Sequence, residues 1–581
     1  MDQGLERGNP EVRWRAATRA GLEQIGAVFT RHPGVWLWML PLLFLGVFFF
    51  YPLGTVFRMA VEWAFSQGWA VDVWAQVAHP LFFTIWQALL STLLTLVLGL
   101  PAAYVLARYT FPGKSVLQVL TTLPFILPTI VVAAAFNALL GPRGWINVLL
   151  MQFFGLTNPP LQVMNTLGVI LLAHVFYNTT VVIRIVGSAW SQLDLRLEQA
   201  GRVLGAWPWK VTWEVTLPLL RPSILAASLL VFLFDFTSFG VILLLGGPHF
   251  ATLEVEIYTQ ALQMLNLPLA GLLSAIQLLC TLLLTVVYAR LGNHKQAIPL
   301  MPRLQGEGTR PPRGWRQKLL VAGMTAILLA LLVSPLAALA LRSFTRLDAD
   351  RGERGPVSRG LTLDYYRQLF VNPQQSIFYV PPVQAARNSL VYALATTGLS
   401  LSLGFLAVYA MQIRPSRWME ALFMLPLGSS AVTLGLGFIL VFNRPPLDVR
   451  SIPWLVPVAH SLVALPFVVR TLQPVLQSIP GSLRQSAAVL GASPWRVWLE
   501  VDLPVMLRAV LVSAILSFTI SLGEFGATSF LARPEYPTLP IAIYRFLSLP
   551  GALNYGQALA MATVLLAVCG ISILAMDKMS V

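Results

Sequence analysis

Long apolar stretches alternate with short polar ones along all 581 residues. Apolar runs lie near 34–54, 81–107, 116–141, 165–187, 222–246 and 268–290. A second set follows near 319–341, 388–413, 419–442, 452–474, 508–531 and 552–576. Each run reaches the roughly 20 residues that a helix needs to cross the hydrocarbon core. The pattern predicts an all-α membrane protein of about twelve transmembrane helices in two six-helix halves. A transmembrane barrel would show alternating segments of about ten residues, and the sequence has none. The first run, Gly34 to Gly54, has no small-residue cleavage site before the next polar stretch, so it reads as a retained span.

The polar stretches set the organisation. Residues 1–33, with Arg7, Arg13, Arg15, Arg19 and Arg31, read as a cytoplasmic tail. Residues 34–292 form a first half, the Pro- and Gly-containing stretch 293–316 a linker, and 317–581 a second half. With the N-terminus inside, inner segments carry 26 of the 39 lysines and arginines and outer ones 13. Seven of those 13 fall in one long outer segment, Arg342 to Arg387, where the charge rule is weak. Both termini are therefore expected in the cytoplasm.

Composition narrows the class further. Charged residues are 11% and hydrophobic ones 56%, against roughly 25% charged in a soluble domain. The net charge of +15 is spread over short loops, as membrane anchoring requires, and does not form a nucleic-acid surface. Cys280 and Cys569 both lie in apolar runs, so neither a disulfide framework nor a metal cluster is expected.

An internal repeat decides the architecture. Gln199–Pro218 aligns without gaps on Gln485–Pro504 at a constant offset of 286, with twelve of twenty positions identical. The same offset pairs His174 with His460, Arg184 with Arg470, and Phe239-Gly240 with Phe525-Gly526. Six crossings separate each residue from its mate, so the halves run parallel, related by an axis along the membrane normal.

The repeated segments read QAGRVLGAWPWKVTWEVTLP and QSAAVLGASPWRVWLEVDLP. In the first, a helical stretch (197–204) meets Gly205, which permits a sharp turn. Pro208 then opens a second short helix, where its missing N–H costs nothing. Trp209, Lys210 and Trp213 give that helix aromatic and basic faces, and Pro218 is expected to turn the chain back toward the membrane. Gly491, Pro494, Trp495 and Pro504 repeat the design. A plain return loop needs only a few residues, so the duplication reads as a docking surface for a partner, with Gln199, Gly205, Pro208, Trp209, Glu214 and Pro218 and their mates Gln485, Gly491, Pro494, Trp495, Glu500 and Pro504 as its marks.

Both loops resemble the cytoplasmic signature of binding-protein-dependent ATP-binding-cassette permeases: E-A-A, three residues, G, then a downstream L-P. Gly205 and Gly491 match its glycine, and Leu217-Pro218 and Leu503-Pro504 its final pair. Gln199 and Gln485 replace its glutamate; Glu198 stands one residue out of register, and its mate is Arg484. The resemblance implies a type I permease fold, a lipid bilayer setting in a bacterial inner (plasma) membrane, and transport of a small solute by alternating access. It also implies two ATPase subunits that bind ATP and magnesium, and an extracytoplasmic solute-binding protein. No cofactor of the chain's own is implied. The fused halves resemble the thiamine and ferric-iron group of these importers, and Phe236 to Leu262 is similar to the corresponding stretch of thiamine permeases. SLGEFGAT also resembles oxyanion and sulfate permeases.

The chain is not expected to hydrolyse ATP. Its nearest phosphate-loop fragment, Gly113-Lys114-Ser115, has Arg108 where a second glycine would have to stand, and it lies between two apolar runs. No catalytic motif of the H-E-x-x-H or G-x-S-x-G kind occurs. Ionisable groups at membrane depth usually line an interior path. The candidates are His174, Asp235, Ser238, His460 and Glu524, with Asn178 nearby. They could meet a cationic substrate, bond helix to helix, or act as the proton relay of an ion-coupled secondary transporter. Outside, LTLDYYRQLF reads as a short amphipathic helix on the outer interface.

Overall fold

The computed structural model describes residues 33–67, 71–292, 309–346, 360–371, 380–413, 415–444, 447–448 and 452–580. The expected tail (1–33), save its last residue, and most of the expected linker lie outside these. The first half contains α1 (Leu37–Ser66), α2 (Trp74–Arg108), α3 (Lys114–Ile126), α4 (Thr129–Phe154) and α5 (Leu167–Gln192). It continues through α6 (Leu195–Val203), α7 (Pro208–Phe236), α8 (Gly240–Leu245), α9 (Leu253–Tyr258) and α10 (Leu267–Tyr288). The second half contains α11 (Trp315–Ser343), α12 (Asp364–Gln368), α13 (Pro382–Ile413), α14 (Trp418–Gly428), α15 (Ala431–Phe442) and α16 (Leu455–Ser478). It ends with α17 (Gly481–Val489), α18 (Pro494–Gly523), α19 (Gly526–Leu531), α20 (Leu539–Ser548) and α21 (Ala552–Met576). Among the described residues the only ladder is a two-residue pair, Asn443–Arg444 with Leu447–Asp448.

Eleven of these helices are long and apolar enough to span a membrane, and α14 with α15 makes a twelfth only if counted as one span bent by 94°. Four expected spans are in fact broken. The run 116–141 breaks at Leu127–Pro128, 222–246 at Thr237–Phe239, 419–442 at Ser429–Ser430, and 508–531 at Glu524–Phe525. Hydropathy reports depth, not backbone continuity. Pro128, with φ −57° and ψ 138°, sits in an extended conformation that ends one helix before the next begins. Ser430 caps α15, its Oγ accepting from Val432 and Thr433 N–H. Breaks at membrane depth are tolerated where the backbone lines a cavity or is packed in protein.

Each half has the same core: α2, α5 and α7 pack together, as do α13, α16 and α18. A glycine sets the approach of the first two helices in both. A β-carbon at Gly99 would lie 2.7 Å from Val182, and one at Gly404 would lie 2.5 Å from Val468. Small residues let helices approach closely where no hydrophobic effect drives them together. The first helix of each half crosses to the other half. α1 packs on α13 and α15 as well as α10, and α11 packs on α4 as well as α21. Among the described residues between α11 and α13, the single turn α12 is the only helix. Tyr365 is buried there, and Tyr366 bonds Ser343 (2.7 Å) and stacks on Phe344 with centroids 4.9 Å apart.

Candidate functional site

The two repeated loops fold alike. Helix α6 ends in Gly205 at φ +84°, and α17 ends in Gly491 at φ +84°, a left-handed conformation that a side chain would strain. Ala206 N–H donates to Gly201 O and Ala492 N–H to Ala487 O, both at 3.0 Å, the six-to-one bond of a Schellman cap. Pro208 and Pro494 then occupy the first turn of α7 and α18. One expectation is corrected. Pro218 and Pro504 do not turn the chain; each lies within a helix that runs on into the span. A π-turn precedes each, Thr212–Thr216 and Trp498–Asp502. The widened turn relieves the clash that a proline ring makes with the carbonyl behind it.

All twelve docking candidates are exposed. Beside them the structure exposes residues not singled out from sequence: Trp207 (81%), and the apolar pairs Val203-Leu204 and Val489-Leu490, each residue 87% exposed. Trp209 packs edge-on to Trp213 (5.5 Å), and Trp495 stacks on Trp498 (4.7 Å). A helix end that presents aromatic and aliphatic side chains in place of charge is the composition of an interface centre.

The four broken spans converge on a cavity of about 400 Å³ between the halves. His174, Asp235, Ser238 and Glu524 all line it; His460 does not, and lies buried behind Glu524. His174, on α5, has Nδ1 at 3.0 Å from Ser91 Oγ and 3.4 Å from Asp235 Oδ1, and Nε2 at 2.8 Å from Ser238 Oγ. Asn178 Nδ2 donates to Asp235 Oδ1 (2.7 Å), and Gln87 Nε2 to the Asp235 carbonyl (2.8 Å). Asp235 Oδ2 is buried with no hydrogen-bond partner. His460, on α16, has Nδ1 at 2.8 Å from Ser521 Oγ and Nε2 at 2.7 Å from Thr528 Oγ1 and 3.2 Å from Glu524 Oε2. Glu524 also accepts from Ala527 N–H (2.9 Å), Thr528 N–H (3.0 Å) and Thr528 Oγ1 (2.6 Å), so it caps α19.

At offset 286, Asp235 is equivalent to Ser521 and Ser238 to Glu524. Each histidine thus touches both residues of this pair of positions, a carboxylate at one and a serine at the other, with the two types exchanged between halves. Glu524 is fully engaged by its cap; Asp235 keeps one oxygen free, which makes it the candidate contact for a cation.

Other residues in and around the cavity were not named as site candidates from the sequence. Glu254 is buried on α9, its Oε1 accepting from Gln277 Nε2 (2.5 Å) and its Oε2 from Ser430 Oγ (2.6 Å) across the two halves. It falls between the expected runs 222–246 and 268–290, two residues from Glu256, so hydropathy did not mark it as a charge at membrane depth. Phe239 and Phe525, equivalent positions, stack with centroids 5.5 Å apart and planes 20° from parallel. Their neighbours Tyr258 (5.3 Å) and Tyr544 (5.5 Å) are equivalent too. The constant offset had already paired Phe239 with Phe525, and it pairs Tyr258 with Tyr544 as well, a repeat not singled out from sequence.

Comparison with known proteins agrees with this arrangement. The family model for "Binding-protein-dependent transport system inner membrane component" matches residues 95–294 and again 391–580. The thiamine transport system permease protein ThiP of Escherichia coli (strain K12) is 26% identical, over 90% of this chain and 93% of its own length. The probable ABC transporter permease protein y4fN of Sinorhizobium fredii is 26% identical over 81% of this chain and 82% of its own. The putative 2-aminoethylphosphonate transport system permease protein PhnU of Salmonella paratyphi A is 28% identical, covering 47% of this chain and 95% of its own length. Among solved structures, a bacterial ABC transporter that imports the acidic polysaccharide alginate aligns over 46% of this chain and 98% of its own, at 18% identity and TM-score 0.38. Two family matches on one chain, falling on the two halves that the repeat defines, show that the chain belongs to the binding-protein-dependent transport system inner membrane components, as a fused two-half permease of the ABC importer type.

Proposed function

We propose that the chain is the translocation subunit of a thiamine importer. Two separate ATPase subunits dock on the loops around Gly205 and Gly491 and bind the ATP and magnesium. A solute-binding protein delivers substrate at the opposite face, and the termini lie in the cytoplasm. Substrate passes between the halves, which rock between two access states as the ATPases close and open.

The observation that carries the substrate is the unpaired Asp235 Oδ2 in a cavity whose lining includes Phe239 and Phe525. A buried carboxylate oxygen without a donor is costly, and a cation supplies what is missing. Aromatic faces attract organic cations and stack on flat rings, and thiamine is a thiazolium cation joined to an aminopyrimidine. Ferric iron is a weaker candidate, because aromatic rings offer a hard metal ion no ligand. A sulfate-type oxyanion is disfavoured by Asp235, Glu254 and Glu524 in the lining. A proton-coupled transporter leaves both exposed loops without a role.

The test is uptake of radiolabelled thiamine by cells carrying the complete transport system, with unlabelled thiamine, ferric citrate and sulfate as competitors. Competition by thiamine alone supports the reading; competition by sulfate or iron at lower concentration overturns it.

A further inference from the structure

Each docking loop is fixed to its own half by a polar hub of three side chains, and the carboxylate of the hub stands at a different position in each half. In the first half it is Glu198, on α6. Arg108 Nη2, at the inner end of α2, donates to Glu198 Oε1 at 2.6 Å, and Thr216 Oγ1 donates to the same oxygen at 3.4 Å. In the second half the carboxylate is Asp502, the equivalent of Thr216. Arg484, the equivalent of Glu198, donates from Nε to Asp502 Oδ1 at 2.7 Å. Tyr409 OH, on α13, donates to Asp502 Oδ2 at 3.0 Å. Arg108 and Asp502 are almost fully buried. Charge at the 198 and 484 positions is therefore consumed inside the chain, which leaves Gln199 and Gln485 as the exposed polar residues of the signature.

We propose that Glu198 and Asp502 are positioning residues that pass movement of each docking loop to the spans bounding the cavity. The wiring supports a direct route. Arg108 ends the helix that carries Gln87 and Ser91, which bond Asp235 and His174. Asp502 lies in the π-turn of α18, the helix that carries Ser521, a partner of His460, and leads into Glu524. Tyr409 lies on the helix whose Thr396 accepts from Ser521 Oγ at 3.2 Å. Removing one member of a buried ion pair leaves its partner uncompensated, so the joint either holds or gives way. Two hubs of the same shape and exchanged polarity show that the three-way bond, not a particular acid, is what both loops need.

This inference rests on the docking reading of the loops, so its test separates the two. The tagged permease is purified with the ATPase subunit that accompanies it, reconstituted with its solute-binding protein, and assayed for thiamine taken up per ATP hydrolysed. Glu198→Arg is expected to keep the ATPase at wild-type yield while the ratio falls about tenfold, the scale of a typical coupling between sites. Glu198→Gln, which keeps the shape, is expected to cost about threefold, less than that scale. The relocated hub, Arg108→Ile with Glu198→Arg and Thr216→Asp, copies the second half, where Tyr409 and Ile413 stand 305 residues on from Tyr104 and Arg108 as Gly404 does from Gly99; it is expected to restore most of the ratio. An unchanged ratio in Glu198→Arg overturns the proposal. So does a relocated variant that stays monodisperse yet remains as poor as Glu198→Arg, and so does loss of the ATPase from Glu198→Arg, which would make Glu198 a docking contact. Absence of the ATPase from the wild-type preparation removes the docking reading and this inference together.

Discussion

Phe239 and Phe525 occupy the same position in the two halves and lie ring on ring, 20° from parallel, with centroids 5.5 Å apart. The pair therefore straddles the axis that relates the halves, and both rings line the cavity. Rocking of one half against the other has to slide or part these rings. Leu at either position removes the aromatic face but keeps most of the volume. Phe239→Leu and Phe525→Leu are expected to raise the KM for thiamine by similar factors, about fivefold for the loss of one cation–π contact of ~1 kcal/mol. A tenfold difference between the two variants in uptake kinetics would deny them equivalent roles.

Asp235 presents the one unpaired carboxylate oxygen of the cavity among the described residues. Asp235→Asn keeps the side-chain volume and removes the charge, so the KM for thiamine should rise at least about tenfold, given 1.5–3 kcal/mol for a hydrogen bond to a charged group. Glu524→Gln should act differently. Its oxygens accept from Ala527 and Thr528, so its main effect is expected in thermal stability, by about 1 kcal/mol for a weakened cap. Initial-rate uptake and thermal unfolding of both purified variants make the comparison.

Gly205 and Gly491 hold φ +84° at the turn between the loop helix and the helix that follows it. The double variant Gly205→Pro with Gly491→Pro cannot adopt that angle, since proline fixes φ near −65°. The spans should still insert, because their apolar runs are unchanged. Copurification of the ATPase should fall to background. Wild-type yield and activity of the complex would remove the docking assignment.

Ser430 serves two helices at once, as cap of α15 and as donor to Glu254 of the other half. Ser430→Ala is expected to lower stability by about 1–3 kcal/mol, from a lost cap and an unsatisfied buried acceptor. Glu254→Gln retains an acceptor oxygen and should cost less. A double-mutant cycle on the detergent-purified protein should give a coupling above about 0.5 kcal/mol, as for residues in contact. Strict additivity would mean that the tether contributes nothing.

Much of this architecture was legible in the sequence, for physical reasons that also set the limit. Membrane depth demands apolar runs, so the spans were visible; nothing in hydropathy marks where an apolar helix breaks, and the breaks at Pro128, Ser238, Ser430 and Glu524 are what make the cavity. The elbow glycines were readable because only glycine tolerates their angle. Pro218 misled, because the π-turn before it leaves no trace in residue type. Asp235 and Glu524 stood out as charges among apolar neighbours. Their exchange with Ser238 and Ser521 was present in the offset, but its meaning required the positions of His174 and His460 between them. The polarity exchange at Glu198 and Arg484 was visible as a mismatch, and only the burial of Arg108 and Asp502 turned it into a pair of joints.

The central claim is that a thiamine cation passes between the halves at Asp235, driven by ATPases on the two loops. Proteoliposomes containing the permease, its copurifying ATPase and its solute-binding protein test it through radiolabelled thiamine uptake, measured with wild-type chain and with Asp235→Asn. Uptake that requires ATP, is indifferent to a protonophore and loses at least about tenfold in apparent affinity with Asp235→Asn is the expected result. Uptake that persists without ATP and collapses with the proton gradient, or that is unchanged by Asp235→Asn, would contradict it.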